Sequence, residues 1–179
     1  MSSTRTVAAA PTPVIRRANE AYGPSALDRR TESLIPTADG ARAALESFYF
    51  AFHQRSIDVL ESVWGPGKLV TFDNPVGGVV HGSGDVVALY RNIFSSPARV
   101  VVEFRDIVEL IGVDTVVFAG REHGTFELEA TTVPLRIRTT RVFHYLPDLG
   151  WRMVHHHGSI DDPEMLARYQ RSVRGGTPA

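Results

Sequence analysis

Three consecutive histidines, His155, His156 and His157, raise the first chemical question in this chain. Imidazoles ligate metals and carry protons near neutrality. These three fall in "WRMVHHHGSI", Trp151–Ile160, which reads as a strand after the hairpin turn "PDLG". Side chains alternate across a strand, so the triplet cannot act as one three-ligand cluster. His155 and His157 share a face with Trp151, Met153 and Ser159, and His156 shares the other with Val154 and Gly158. An H-x-H pair can give two metal ligands, but its usual all-β setting is missing, since three helices precede the strands. The pair is read as lying on the outer sheet face; no metal and no cofactor are expected. His156 is the member assigned to a pocket.

Arg121 and Arg141 stand inside strands otherwise rich in Val, Phe and Thr. Each guanidinium offers a bidentate fork to a carboxylate or phosphate, so two of them facing a partly apolar pocket would favour an anionic ligand. The competing reading is surface pairing with Glu103, Glu122, Glu127 or Glu129. If Arg141 faces inward, so do Thr139, Phe143 and Tyr145; if Arg121 does, so do Ala119, His123 and Thr125. His123 beside an arginine would stay neutral, the form a base needs. Asn74 closes the strand "KLVTFDNP" and offers both a donor and an acceptor, to a ligand or to its own turn. Phe48, Trp64 and Tyr90, with Phe52 and Phe94, come from three different helices and are expected to line a pocket and its core. "GPG" and "GGVVHGSG" lack the spacing of a nucleotide-binding loop.

These residues must be positioned by a definite order of elements. "ADGARAALESFYFAFHQRS" has apolar residues at helical spacing, with Asp39 as the expected cap. "SIDVLESVWG" is a second helix capped by Ser56, and "SGDVVALYRNIFSS" a third capped by Ser83. Four long strands follow, "RVVVEFRDIVELIG", "DTVVFAGREHGTFEL", "VPLRIRTTRVFHYL" and "WRMVHHHGSI". "DDPEMLARYQRSVRGG" is a terminal helix, with Asp162 as cap and Pro163 at its first position. Residues 1–38, broken by Pro11, Pro13, Pro24 and Pro36, are expected to be a mobile leader with a short helix around Val14–Tyr22. The domain proper is placed at 39–160, and the C-terminal helix and tail at 161–179. The implied class is α+β: a cone-shaped, curved antiparallel sheet packed against three N-terminal helices, with a C-terminal helix.

Composition narrows the partners. A formal net charge of −1 gives no electrostatic case for nucleic acid or an anionic membrane. The count of cysteines is 0, which excludes disulfides, thiolate metal sites and cysteine nucleophiles. No apolar run approaches the roughly 20 residues of a membrane span. "MSSTRTVAAAPTPVIRR" lacks the apolar stretch of a signal peptide, so the cytoplasm is the expected location. Val142, Phe118 and Phe126, placed on the outer sheet face, lead to the expectation of a homodimer through that face.

The order of elements, with "VTFDNPVGG", "HGSGDVVALYRNIF" and "GWRMVHHHGS", resembles the nuclear-transport-factor-2-like superfamily and, within it, the SnoaL-like branch. The resemblance covers about residues 39–160. It implies a cone with a pocket, but not one reaction, because the superfamily spans isomerases, polyketide cyclases, dehydratases, hydrolases and non-catalytic association domains. The catalytic Asp, Tyr and protonated Asp of ketosteroid isomerase would correspond to Asn74, Phe48 and Arg141, so steroid isomerisation is not implied. The kinase association domain is the nearer parallel, through "RVFH" (Arg141–His144), Arg121 and the closing W-x-x-V-H-x-H, although a third pocket arginine of that domain corresponds to Gly158.

Two function classes follow. One is a cofactor-independent cyclase, isomerase, hydratase or lyase acting on a small organic molecule by acid–base chemistry. In that class His123 or His156 moves protons, Arg121 and Arg141 stabilise negative charge, Asn74 orients, and Phe48, Trp64 and Tyr90 line the site. The other is a non-catalytic ligand-binding or assembly module of the same fold.

Overall fold

The structure is a computed structural model, described here for residues 12–174. Its strands are β1 (Val14–Arg17), β2 (Thr71–Asp73), β3 (Val79–His81), β4 (Arg99–Ile111), β5 (Thr115–Leu128), β6 (Thr131–Leu146) and β7 (Gly150–Ser159). Its helices are α1 (Ala38–Gln54), α2 (Ile57–Val63), α3 (Ser83–Ser95) and α4 (Pro163–Val173). No described helix is long and apolar enough to cross a membrane.

The helices lie where apolar spacing puts them, but two caps differ from expectation. Thr37, extended in backbone, accepts from the Gly40 amide and caps α1, while Asp39 falls in the first turn and pairs with Arg42. Gly82 takes the cap position of α3, and Ser83 is its first residue. Asp162 caps α4 as expected, accepting from the amides of Glu164 and Met165. Helix α1 ends at Arg55 in the left-handed region, φ 53°. The Arg55 guanidinium donates to the carbonyls of Phe94, Ser96 and Ala98, tying the end of α1 to the end of α3.

The sheet runs β1-β4-β5-β6-β7-β2-β3 and does not close. It is mixed rather than wholly antiparallel, because β2 pairs parallel to β7. Strands β4, β5, β6 and β7 of 13, 14, 16 and 10 residues form its body. Register shifts in β4 between Arg105 and Val108, and at Val142/Phe143 against His155 and Met153, add local twist and curl the sheet. Its inner face holds Phe104, Ile107, Phe118, Leu135, Phe143, Trp151 and Met153 in one buried core with residues of α1 and α2. Phe118 and Phe126, expected on the outer face, are inner residues at 0% and 3% exposure, so they form no outer apolar patch.

Val14–Tyr22 is not a helix. It offers no apolar helical face, and the open edge of β4 supplies backbone partners: β1 pairs antiparallel from Val14↔Ile111 to Arg17↔Val108. Farther on, Tyr22 bridges Phe104 and stacks on Tyr49. Side chains secure the arrangement. Glu109, 1% exposed, accepts from Arg42 Nε and Nη2, both at 2.6 Å, and from Arg16 Nε at 2.9 Å. Carbonyls of the turn before α1 also accept bonds, Leu34 from Tyr145 Oη and Ile35 from Trp151 Nε1. Within residues 12–38 the chain thus contacts the domain through β1, the Tyr22 bridge and the turn before α1; the rest of the expected leader lies outside the described residues. Glu109→Ala is expected to release β1 first. Amide exchange at Val14–Arg17 should accelerate at least about tenfold while β5 and β6 stay protected.

Candidate functional site

Between the inner sheet face and helices α1, α3 and α4 lies a cavity of about 390 Å³. Its walls are mainly apolar, from Phe48 and Phe52 on α1, Tyr90 and Ile93 on α3, Phe72 on β2 and Ile137 on β6. Helix α4 forms part of its wall. Tyr169, 8% exposed, packs edge-on to Phe126, and Gln170 donates to the carbonyl of Val76 in the β2–β3 turn. Burial pushes the Tyr169 hydroxyl up to about 12, so it stays protonated at the cavity wall.

Of the residues singled out in the sequence, Phe48, Asn74, Tyr90, Arg141 and His156 line this cavity. Asn74 is also a turn residue, its Oδ1 accepting from the Val76 amide at 3.0 Å. Trp64 is displaced from the cavity. It is buried behind Phe72 and Tyr90, and faces a second, more open depression near Pro66 and Arg152. Arg121 and His123 are not brought to the cavity either. Arg121 is half exposed, 3.9 Å from Asp161 on the outer side. Burial, then the neighbouring Arg105 and Arg136, lowers the His123 pKa; its Nε2 is enclosed without a partner among the described residues.

The phase of β5 accounts for this. Phe118, Glu122 and Phe126 are all buried at even spacing, and that places Arg121 and His123 outside. The two aromatics were the available signal, since large rings seek the core more strongly than any arginine does. The residue missed in this way is Glu122. It accepts from Arg141 Nη2 and Tyr49 Oη at 2.7 Å each, and from Thr139 Oγ1 at 3.0 Å. Tyr49 Oη in turn accepts from Arg141 Nη1 at 2.5 Å. The Arg141 guanidinium lies over the rings of Phe48, Tyr49 and Phe104, at 4.4, 4.7 and 5.2 Å from their centroids. Burial by itself would lower the Arg141 pKa, but Tyr49 and Glu122 reverse that and keep it charged. Burial also holds the Tyr49 hydroxyl well above its usual value. The arginine expected to await an anion therefore already has one. The sequence placed Glu122 among its possible partners, but on the sheet surface, whereas the pair is internal.

His156 occupies the other side of this wall, paired across β6–β7 with Arg141. It packs on Phe72 at 4.8 Å and edge-on to Phe48 at 5.9 Å. It is 5% exposed, and neither ring nitrogen has a hydrogen-bond partner among the described residues. Burial, then the Arg141 charge, holds its pKa well below the ordinary histidine value, so the ring is neutral. Simple alternation would have grouped His156 apart from Trp151 and Met153. The extra residue Val154 at the bulge puts all three on the inner face.

Residues 41–163 match the family described as the SnoaL-like domain. The chain belongs to that family. Among solved structures, this SnoaL-like chain is similar to a candidate calcium/calmodulin-dependent protein kinase type II association domain from Thiobacillus denitrificans. The identity is 30%, over 68% of this chain and 94% of that one, with a TM-score of 0.58. It is also similar to a candidate dehydratase of the NTF2-like family from Streptomyces avermitilis, at 25% identity over 69% and 97% of the two chains, TM-score 0.61. A ketosteroid isomerase-like protein from Erwinia carotovora shares the fold at 14% identity, over 69% and 95% of the chains, TM-score 0.56. No curated protein matches the sequence.

Proposed function

We propose that this SnoaL-like protein is a cofactor-independent isomerase or dehydratase acting on a small, neutral, mainly apolar carbonyl compound, with His156 as the group that moves the proton. The observation that carries the reading is the buried, neutral His156 ring, both nitrogens unpaired, in the wall of an apolar cavity. Buried polar atoms without partners are rare, and in a cavity they mark where a ligand's polar atoms belong. Arg141, in the same wall, adds an Nε–H without a hydrogen-bond partner among the described residues. A carbonyl oxygen accepting from Nε would place its α-carbon toward His156. The imidazole then takes the α-proton, and the enolate oxygen is stabilised by the arginine. The proton returns to another carbon in an isomerisation, or to a β-hydroxyl that leaves as water in a dehydration. Glu122, occupied by three donors, acts behind this pair by keeping Arg141 oriented.

Charge neutrality of the Arg141–Glu122 pair favours a neutral ligand, so neutral ketones, not carboxylates, should raise the melting temperature. Chemistry is tested in D2O by NMR. Apolar ketones and β-hydroxyketones that bind should gain deuterium at the α-carbon in the presence of wild-type protein. With His156→Phe the exchange should slow by about 10²–10⁴-fold, while an Ile93→Trp variant that fills the cavity should neither bind nor exchange. Binding with no exchange by wild type would refute the catalytic role.

A further inference from the structure

The outer face of the β2–β7 joint carries a second constellation. The two strands pair parallel, with Thr71↔His155, Phe72↔His156 and Asp73↔His157 in register. Alternation sends Phe72 and His156 into the cavity wall, and leaves Thr71, Asp73, His155 and His157 on the opposite side. One ligand atom from each of Asp73, His155 and His157 lies within 4.8 Å of the other two. We propose that these three residues bind a borderline divalent cation of the zinc class, with at least one coordination position open.

The chemistry fits that class. Two imidazoles and one carboxylate form a mixed nitrogen and oxygen set suited to zinc, nickel or copper, and poorly suited to magnesium or calcium, which prefer oxygen alone. The separation is close to what a cation needs. Ligand bonds of about 2.0–2.1 Å put tetrahedral ligands about 3.4 Å apart, so rotations of about 1 Å at the side-chain tips suffice. The backbone supplies the rest, because i and i+2 positions on one strand and the registered residue of its neighbour share a face at fixed spacing. Two contacts already orient the rings. His155 Nδ1 is 2.6 Å from Thr71 Oγ1, and His157 Nδ1 is 3.1 Å from Asp73 Oδ2. Side-chain exposures of 46% for His157 and 29% for Asp73 give a cation access from solvent. The sequence led to no metal here because the pair stood without its third ligand. Asp73 is 84 residues away from His157, and only the parallel pairing brings it in. A cation at this position would clamp β2 to β7 directly behind Phe72 and His156.

The test uses untagged full-length protein stripped with EDTA and titrated with Zn²⁺ against a chromophoric chelator near neutral pH. One equivalent should bind, and zinc should raise the melting temperature. His157→Ala should weaken binding by more than about 100-fold, beyond the loss typical of an outer-shell change, and Asp73→Asn should weaken it measurably. His144→Ala serves as the control. That histidine is also half exposed on the sheet and bonded to a threonine, Thr115, and its loss should leave zinc binding unchanged. Circular dichroism of each variant establishes that it is folded. Absence of stoichiometric binding, or binding unchanged in folded His157→Ala, overturns the proposal.

Discussion

Glu122→Leu is expected to lose about 3–5 kcal/mol of stability in urea unfolding followed by tryptophan fluorescence. The cause is the partner left behind. Arg141 is 1% exposed and cannot shed its proton, so without Glu122 it becomes an uncompensated buried charge. Tyr49 still faces the guanidinium, and the rings of Phe48 and Phe104 still flank it. Cation–π contacts of about 0.5–2 kcal/mol soften the loss without removing it. Thr139 and Tyr49 also lose the acceptor for their hydroxyls. The double variant Glu122→Leu, Arg141→Met should recover most of the stability, because it removes both charges and keeps the volume filled. The same double variant should abolish α-deuterium exchange. Recovery of folding without recovery of exchange would show that the pair is kept for function. A Glu122→Leu variant within about 1 kcal/mol of wild type would mean that water reaches the pair.

How far the sequence went depends on which rule governed each residue. Helices α1, α2 and α3 were legible because apolar spacing and nearby caps are local signals. So were the four long strands, from their β-branched and aromatic content, and α4, from Asp162 and Pro163. Features set by the partner strand were not legible. Edge strand β1 carries no apolar alternation; it forms because β4 offers an open edge and Glu109 offers a buried acceptor to Arg16. The phase of β5 was misjudged for a different reason. An Arg121 chosen to face the pocket puts Phe118 and Phe126 outside, whereas burial of those two rings fixes the opposite face. That one choice hid Glu122 and displaced His123 as well. His156 does line the cavity beside Arg141, but Trp151 and Met153 share its face rather than the other one, because one inserted residue at a bulge reverses alternation beyond it. Asp73 illustrates the general limit. Its neighbours in the chain say nothing about His157, and the link between them exists only once a parallel pair has formed.

His156→Phe is expected to give a protein that is more stable than the wild type and inactive in the exchange assay. Both nitrogens of the native ring are buried without partners, a cost of about 1–3 kcal/mol. Phenylalanine removes that cost while retaining the packing on Phe72 and Phe48. The gain should also depend on pH. An unfolded histidine titrates near about 6.5, whereas burial and Arg141 hold the folded His156 well below that. Above the unfolded value both states are neutral, and the residue contributes no slope. As pH falls below it, the unfolded chain takes up a proton that the folded chain refuses. Wild-type stability then declines by about 1.4 kcal/mol per pH unit until the folded-state value is reached. As pH falls below about 6.5 the difference between wild type and His156→Phe should therefore widen. His53, also held low by burial, and His123 remain in the variant and leave it a smaller slope of the same sign. Urea titrations at half-unit intervals, with EDTA present to keep cations from His155 and His157, measure the difference directly. Parallel curves would place a protein or solvent partner on the ring and remove the reason for assigning it a ligand. Widening curves, with exchange lost, would show that this fold retains a destabilising group where a substrate needs it.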